Sequence, residues 1–368
     1  MKLKYRIIFF LIGLAGIGVM LWQSDLKSVQ WDHLLTPKTL LFLGGLLGLW
    51  LVIYIIHVIC YFVILGEDGK KIPALSMFKI CFSGFALNNV TPAGLIGGEP
   101  YRIMALKKYC STEKASASTF TFSLFYFIGH VTVWLTGAIV YFALGISGSP
   151  AIDTLMILTI FVTVLILIAF FVSKRRGLVR PCMSFLTKIP LLKKPMKKLY
   201  DKNVDSYVEI DRNIKEFRAT RLRFWTVFCL QYLTRLLECV EYFLIFLYLG
   251  AKINILGGIL ILTMASLIGN LIVFIPLQAG SRELGMYAIL PALHISKELG
   301  PMALIIYRVR DFLCILFGIS LILFEKKKIN KDEPASEVIK EILECGDPEE
   351  FAEDKEAPES DEPPESEE

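Results

Sequence analysis

An all-α integral membrane fold is what this sequence predicts, with about six full transmembrane helices plus two broken re-entrant helical hairpins arranged as an inverted repeat. Three observations predict it. The 368 residues are 55% hydrophobic with a mean hydropathy of +0.58, and the apolar residues fall in runs long enough to cross a ~30 Å hydrocarbon core. Two apolar segments are interrupted by polar, Gly/Pro-rich runs, at 88–102 and 275–283. In each run a Glu follows a Pro by seven residues, Pro92 to Glu99 and Pro276 to Glu283, and an Arg stands beside that Glu, Arg102 and Arg282. Paired interruptions at matching places in two halves mark a transporter-type site near the bilayer midplane.

The net charge of +4 conceals an asymmetry. From Asp332 onward there are 17 acidic residues against Lys340 and Lys355, so the preceding chain carries 37 basic and 18 acidic side chains. A membrane body with that excess suits anionic lipid head groups. No motif for nucleic acid accompanies it. The eight cysteines are scattered without a Cys-x-x-Cys pair, and His33, His57, His130 and His294 lack metal-ligand spacing, so neither a metal site nor another cofactor is expected.

In chain order, Ile7 to Trp22 reads as an uncleaved signal-anchor helix behind a basic N-terminus. Leu40 to Leu65 is a full span, and Ala74 to Val90 runs into the first break. Ala115 to Leu144 and Ala151 to Ser173 are two further spans joined by a tight polar turn. Residues 174–223 form one long loop with fifteen Lys or Arg, read as amphipathic helix on the membrane surface and broken at Pro181, Pro190 and Pro195. Phe224 to Leu249, Ile255 to Ile275, a shorter piece from Leu284 to Leu293, and Met302 to Phe324 complete the membrane domain, residues 1–330. Residues 331–368 are Glu/Pro/Asp-rich and read as a disordered acidic tail.

Orientation follows from the positive-inside rule. The N-terminus, Lys70-Lys71, Lys107-Lys108, the basic loop and Lys326 to Lys328 go to the cytoplasm, leaving Lys27, Lys38, Lys252 and Lys297 outside. Both termini are then cytoplasmic in a multi-pass protein of the cell (inner/plasma) membrane. This accounting makes 74–109 enter from the inside and turn back, and makes the second broken segment enter from the outside.

Backbone that leaves the helix at membrane depth survives only inside protein or beside a wet cavity, so the breaks imply a cavity. Gly94, Gly97 and Gly98 permit close backbone approach, and a helix restarting near Gly98 would aim its free N–H groups into that cavity. A phosphate fits such a place, and Arg102 and Arg282 are its natural ligands because guanidinium pairs bidentately with phosphate oxygens. For Glu99 and Glu283 two readings stand: each neutralises an Arg or caps the restarting helix, or each takes protons or contacts a cationic head group during transport. Arg235, Glu238 and Glu241 share one face of their helix, and Arg308, Arg310 and Asp311 are placed in the first turns of the last span. Asn88, Asn89, Thr91, Asn270 and Gln278 lie in or beside the breaks as neutral partners. The aromatics Phe120, Phe122, Phe125, Tyr126 and Phe127 read as lipid-facing or packing groups.

The run Asn89 to Arg102, with Thr-Pro-x-Gly followed by Gly-Gly-Glu-x-x-Arg, together with Pro276 to Glu283, resembles the transmembrane domain of lysylphosphatidylglycerol synthases. That domain also occurs alone in flippase-like proteins. The resemblance covers roughly residues 5–325, and the second motif departs from it, with Gln278 and Ala279 where glycine is expected. It implies a domain that moves a phospholipid, or another polyprenyl or glycerol lipid, between leaflets. In the full-length synthases a soluble aminoacyltransferase domain follows, whereas about 44 residues follow the last span here, so an enzymatic activity is not expected.

The expected function is therefore a lipid flippase-like transporter. The substrate-binding residues would be Arg102, Arg282, Glu99, Glu283, Asn89, Thr91, Gly97, Gly98, Arg235, Glu238 and Arg308. The expected partners are membrane lipids with anionic head groups and a soluble partner for the acidic tail. The competing readings are a membrane-embedded lipid-modifying transferase using Glu99 or Glu283 as base, and a scaffold recruiting a soluble partner through that tail. The chain has no Walker-type loop, so ATP hydrolysis is not expected.

Overall fold

The computed structural model describes residues 36–90, 98–146, 148–172, 204–271, 278 and 280–324. The expected spans at Ile7 to Trp22, the greater part of the basic loop, and the acidic tail lie outside these residues. Ten helices form the described part: α1 (Pro37–Leu65), α2 (Ala74–Val90), α3 (Gly98–Leu106), α4 (Thr112–Ala143), α5 (Pro150–Val172), α6 (Val204–Ala219), α7 (Arg221–Tyr248), α8 (Ile255–Leu271), α9 (Ser281–Ile289) and α10 (Leu299–Phe324). No strand occurs among the described residues.

Local sequence sets the helix starts. Thr36 caps α1 by accepting from the Thr39 amide at 3.2 Å, with Pro37 in the first turn where its missing N–H costs nothing. Ser111 caps α4 in the same way, accepting from the Lys114 amide at 3.2 Å, with Glu113 in the first turn. Residues 37–71, 112–143 and 150–172 are long and apolar enough to cross a membrane. At 1.5 Å per residue the 29 residues of α1 extend about 43 Å, more than the hydrocarbon core requires. α5 buries only Met156, Thr159, Thr163 and Phe170 and turns Ile157, Leu158, Phe161, Leu165 and Ile168 outward, a lipid-facing helix. Its two inward threonines return their hydroxyls to the carbonyls of Leu155 and Thr159, so no polar group is stranded.

Two apolar clusters divide the bundle lengthwise. One gathers Leu65, Ile72, Leu106, Ala115, Phe170, Phe217 and Phe224; the other gathers Leu43, Tyr141, Phe246, Ala251, Leu290 and Ile295. Each cluster therefore holds the open end of one hairpin, α2–α3 in the first and α8–α9 in the second. Specific contacts agree. Arg218 donates to the Phe170 carbonyl at 2.6 Å at the first end, while Thr39 and Tyr248 share a 2.7 Å hydroxyl contact and Phe42 stacks on Tyr248 at 4.3 Å at the second.

Within each hairpin a glycine sets the spacing. A Cβ on Gly98 would overlap the Gly84 carbonyl and the Asn88 side chain, so α3 restarts directly against α2. A Cβ on Gly285 would overlap the Met264 carbonyl, so α9 lies equally close on α8. Overpacking of this kind has only backbone to push against.

Several boundaries differ from expectation. α9 begins at Ser281 rather than Leu284 and so includes Arg282 and Glu283; their charge interrupts the apolar run but is helix-compatible, and Glu favours a first turn. α7 begins at Arg221 instead of Phe224. α10 begins at Leu299, which places Arg308, Arg310 and Asp311 midway along its 26 residues and not in its first turns.

Gly98→Ala and Gly285→Ala are each expected to cost about 1–3 kcal/mol, read as a lower unfolding midpoint in mild detergent. Gly45→Ala, whose added methyl meets nothing within 4 Å, is expected to leave the midpoint unchanged or raise it.

Candidate functional site

A belt of ten charged side chains is carried on α3, α7, α9 and α10: Glu99, Arg102, Arg235, Glu238, Glu241, Arg282, Glu283, Arg308, Arg310 and Asp311. It contains five arginines and five carboxylates. Such groups are costly in apolar surroundings unless compensated, and the structure shows how most of them are compensated.

At the first hairpin, α3 restarts on Asn88, whose side-chain oxygen accepts from the Gly98 amide at 2.7 Å. The Asn88 amide in turn donates to Glu99 Oε1 at 3.1 Å. That same oxygen accepts from Ser123 on α4 at 2.9 Å and from Arg102 Nη1 at 3.3 Å. The Arg102 guanidinium is 1% exposed and lies over the Phe85 and Phe122 rings, at 4.4 and 5.4 Å from their centroids. Gly84 makes room for it, since a Cβ there would occupy the place of the Arg102 Nε. Glu99 thus joins α2, α3 and α4 at one point. Of the two asparagines expected as neutral partners, Asn88 makes these contacts and Asn89, the one expected to bind substrate, is exposed. Thr91 and Gly97 lie outside the described residues.

At the second hairpin, Glu283 accepts from the Gly280 amide at 2.6 Å and caps α9. Its other oxygen pairs with Arg308 of α10. The adjacent Arg282 turns away from it. Arg282 lies within electrostatic reach of the Tyr242 phenol and sits 5.0 Å over the Tyr307 ring. A narrow cleft is lined here by Tyr242, Arg282, Glu283, Met286, Leu304 and Tyr307. Gln278 donates to Asn270 at 3.3 Å, and Asn270 donates to the Ser266 carbonyl at 2.7 Å, so both neutral residues serve the hairpin itself.

Between the hairpins, Arg235 pairs with Glu238 through Nη1 at 2.7 and 2.9 Å. Its guanidinium lies 4.1 Å over Tyr126. Arg310 makes a bidentate pair with Glu241, at 2.6 and 2.8 Å, reaches Asp311 through Nη1, and lies between Trp50 and Tyr307. A ladder on α4 completes the link. Tyr126, His130 and Trp134 recur every four residues and share one helical face. His57 of α1 packs on Phe85, Phe122 and Tyr126, and Trp134 donates to Ser266 of α8 at 2.8 Å. His57 lies within electrostatic reach of Arg102 and Arg235, and His130 within reach of Arg235 and Arg282. Packed aromatic and histidine rings therefore link the charges of the first hairpin to Arg235 and on to α8 of the second. Of the expected aromatics, Phe122 and Phe125 are buried while Phe120 and Phe127 face outward, a split that follows the helical period.

Four of the five arginines are in ion pairs, and Arg282 is the exception among the described residues. Sequence reasoning singled out all ten of these charges, with Arg102, Glu99, Arg235, Glu238, Arg282, Glu283 and Arg308 expected to bind substrate. It missed Ser123, Tyr242 and Tyr307. Tyr242 was within reach of pattern reading, since it continues the Arg235–Glu238 stripe of α7 one turn further; Ser123 and Tyr307 carry no local signal.

An all-helical bundle with two broken hairpins and a compensated charge belt is a polytopic membrane protein. The chain matches the lysylphosphatidylglycerol synthase TM region over residues 5–318, and it belongs to that family. It is also similar to a UPF0104 membrane protein of Methanothermobacter thermautotrophicus, 26% identical over 230 residues. That match covers 58% of this chain and 62% of the relative's length. No solved structure matches the chain. Both relationships place it among membrane proteins, and the family is a lipid-related one.

Glu241 and Arg310 are both 1% exposed, and Arg310 also holds Asp311, so removing Arg310 strands Glu241 whereas removing Glu241 leaves Arg310 paired. Arg310→Met is expected to cost about 3–5 kcal/mol. Glu241→Leu is expected to cost less, and adding it to Arg310→Met to recover part of that loss, measured by unfolding in detergent.

Proposed function

We propose that this protein moves a phospholipid, or another anionic lipid, between membrane leaflets through a cavity lined by the two broken hairpins, without chemical modification of the lipid. The observation that carries the reading is the set of buried charges between two hairpins whose open ends pack into two different apolar clusters. A polar path buried between lipid-facing helices gives a head group somewhere to pass while its acyl chains stay outside.

The lengths of the elements support an inverted repeat. In the first half α1, α2, α3 and α4 have 29, 17, 9 and 32 residues; in the second α7, α8, α9 and α10 have 28, 17, 9 and 26. Each set is a long helix, a broken pair and a long helix, with one helix, α5, left between the repeats. An odd number of spans before the second repeat inverts it, which is why the hairpins open oppositely. With the expected Ile7 to Trp22 helix this gives six spans plus two re-entrant hairpins.

Charge favours one orientation. Lys70, Lys71, Lys107, Lys108, Arg221 and Arg223 belong to the end that holds Leu65 and Leu106, and Lys38, Lys252 and Lys297 to the other. By the positive-inside rule the first end is cytoplasmic, with both chain termini on that side of the plasma membrane.

Of the two arginines expected to hold phosphate, the geometry favours Arg282. Arg102 is committed to Glu99 and wedged against Gly84, which makes it the brace of the first hairpin. Arg282 has phenols for neighbours and no ion pair among the described residues.

In proteoliposomes containing acyl-labelled phospholipids, the wild-type protein is expected to accelerate leaflet exchange well above empty vesicles. Arg282→Ala is expected to slow it about tenfold or more, the loss of one charge-assisted contact of about 1.5–3 kcal/mol, while the folded fraction stays unchanged. Exchange no faster than in empty vesicles, with monodisperse protein, would contradict the proposal.

A further inference from the structure

We propose that the open end of the second hairpin carries a preformed binding site for a phosphate-bearing head group, with Lys252 and His294 as its cationic and imidazole ligands. The proposal rests on the transport reading for the origin of that head group in a membrane lipid, and on the structure for the place and charge of the site.

A cavity of about 580 Å³ opens between the α4–α5, α7–α8 and α9–α10 turns, within the ~300–1,000 Å³ range of small-ligand pockets. It shares no residue with the narrow cleft at Arg282. Leu144 and Ile146 line it from the first turn, Lys252, Ile253 and Asn254 from the second, and Leu293 and His294 from the third.

Each turn is held by its own hydrogen bonds. Beside α5 the Gly148 amide donates to the Tyr141 hydroxyl at 2.7 Å, and that hydroxyl donates to Asp153. Before α8 the Ala251 amide donates to the Phe246 carbonyl at 2.9 Å, and the Asn254 side-chain oxygen accepts from the Gly257 amide at 3.0 Å. After α9 the His294 and Ile295 amides return to the Pro291 and Leu290 carbonyls, both at 3.0 Å. Tyr141, Ala251 and Ile295, one from each turn region, belong to a single buried apolar cluster. The walls are therefore ordered before a ligand arrives, which lowers the cost of binding.

The lining selects an anion. Lys252 is a full cation, His294 supplies an imidazole N–H, and no Asp or Glu lines the cavity among the described residues. Asp153, the carboxylate of the α4–α5 turn, is engaged by Tyr141 and the Gly148 amide. A cationic ligand would find no countercharge here, whereas a phosphate finds an ammonium, an imidazole and the Asn254 amide as donors. The apolar side chains of Leu144, Ile146, Ile253 and Leu293 suit the glycerol and first acyl carbons of a lipid.

The backbone supports the same assignment. His294 sits at φ 55°, a left-handed conformation that favours glycine. Glycine takes such a position in the other two turns, Gly145 at φ 62° and Gly250 at φ 84°. In the third turn the chain keeps a histidine at a conformational cost, and that histidine lines the cavity.

The test uses the detergent-purified full chain and a phosphatidylglycerol probe with a photoreactive group in its head group, with attachment sites mapped by mass spectrometry. Labelling is expected at residues 252–257 and 291–294. Lys252→Gln is expected to reduce it about tenfold, the loss of one charge-assisted contact. His294→Gly relieves the left-handed residue, so it is expected to weaken labelling several-fold while the unfolding midpoint holds or rises, which separates recognition from misfolding. Competition by unlabelled phosphatidylglycerol alone would uphold the site with a lipid as its ligand; equal competition by glycerol phosphate would uphold it with soluble phosphate as the ligand. Equal labelling by a diacylglycerol probe carrying the same photoreactive group, or labelling unchanged in folded Lys252→Gln, would overturn the inference. Labelling here by the wild type without leaflet exchange in vesicles would uphold the site and overturn the transport reading. Exchange without labelling here would do the reverse, and the absence of both would overturn both.

Discussion

Everything in this structure depends on keeping ten charges compensated inside an apolar bundle. An ionised side chain at the centre of a membrane helix costs on the order of 2.5–3.5 kcal/mol on insertion scales, and five such pairs would exceed the stability of an ordinary domain if left unmatched. The helices are placed so that they are matched. Arg310 of α10 meets Glu241 of α7, Glu283 of α9 meets Arg308 of α10, and Glu99 of α3 gathers Asn88, Arg102 and Ser123. Two of the four ion pairs, Arg310–Glu241 and Arg308–Glu283, join different helices, and Glu99 joins three through Asn88 and Ser123. Arg282 has no ion pair among the described residues.

The hairpins solve a second problem with the same residues. A helix that stops at membrane depth exposes amides that no water can reach. Asn88 answers this for α3 and Glu283 for α9, each with a side-chain oxygen on a backbone N–H at the restart. The caps differ in kind: a neutral amide at the first hairpin, a carboxylate at the second. That difference explains the uneven roles of the two Glu-Arg sets. Glu99, relieved of capping, is spent on Arg102; Glu283, spent on capping and Arg308, leaves Arg282 without an ion pair among the described residues.

Much of the fold was legible in the sequence, and the reasons are physical. Span lengths and polar breaks at 88–102 and 275–283 follow from what a hydrocarbon core permits, and the restart at Gly98 fell where backbone proximity demanded a glycine. The family followed from the Thr91 to Arg102 run, and the match over 5–318 agrees with it. The partners of the charges were not legible. Glu241 and Arg310 are 69 positions apart, and no local pattern couples them. Adjacency misled in the second hairpin, where Arg282 and Glu283 are neighbours in sequence yet project differently from α9 and take different partners. Helical spacing, which puts residues three or four apart together, was the better guide, as the Arg235–Glu238 pair and the Tyr126–His130–Trp134 ladder show.

The central claim is that two broken hairpins enter the bundle from opposite sides and meet at the charge belt. Side-specific labelling tests it most directly. Single cysteines at Lys108 and at Ser296, in a chain otherwise free of thiols, would be exposed to a membrane-impermeant reagent in intact cells and in inverted vesicles. The account predicts that position 296 labels in intact cells and position 108 only in inverted vesicles. Labelling of both positions from the same side would place both hairpins on one face of the membrane and contradict it.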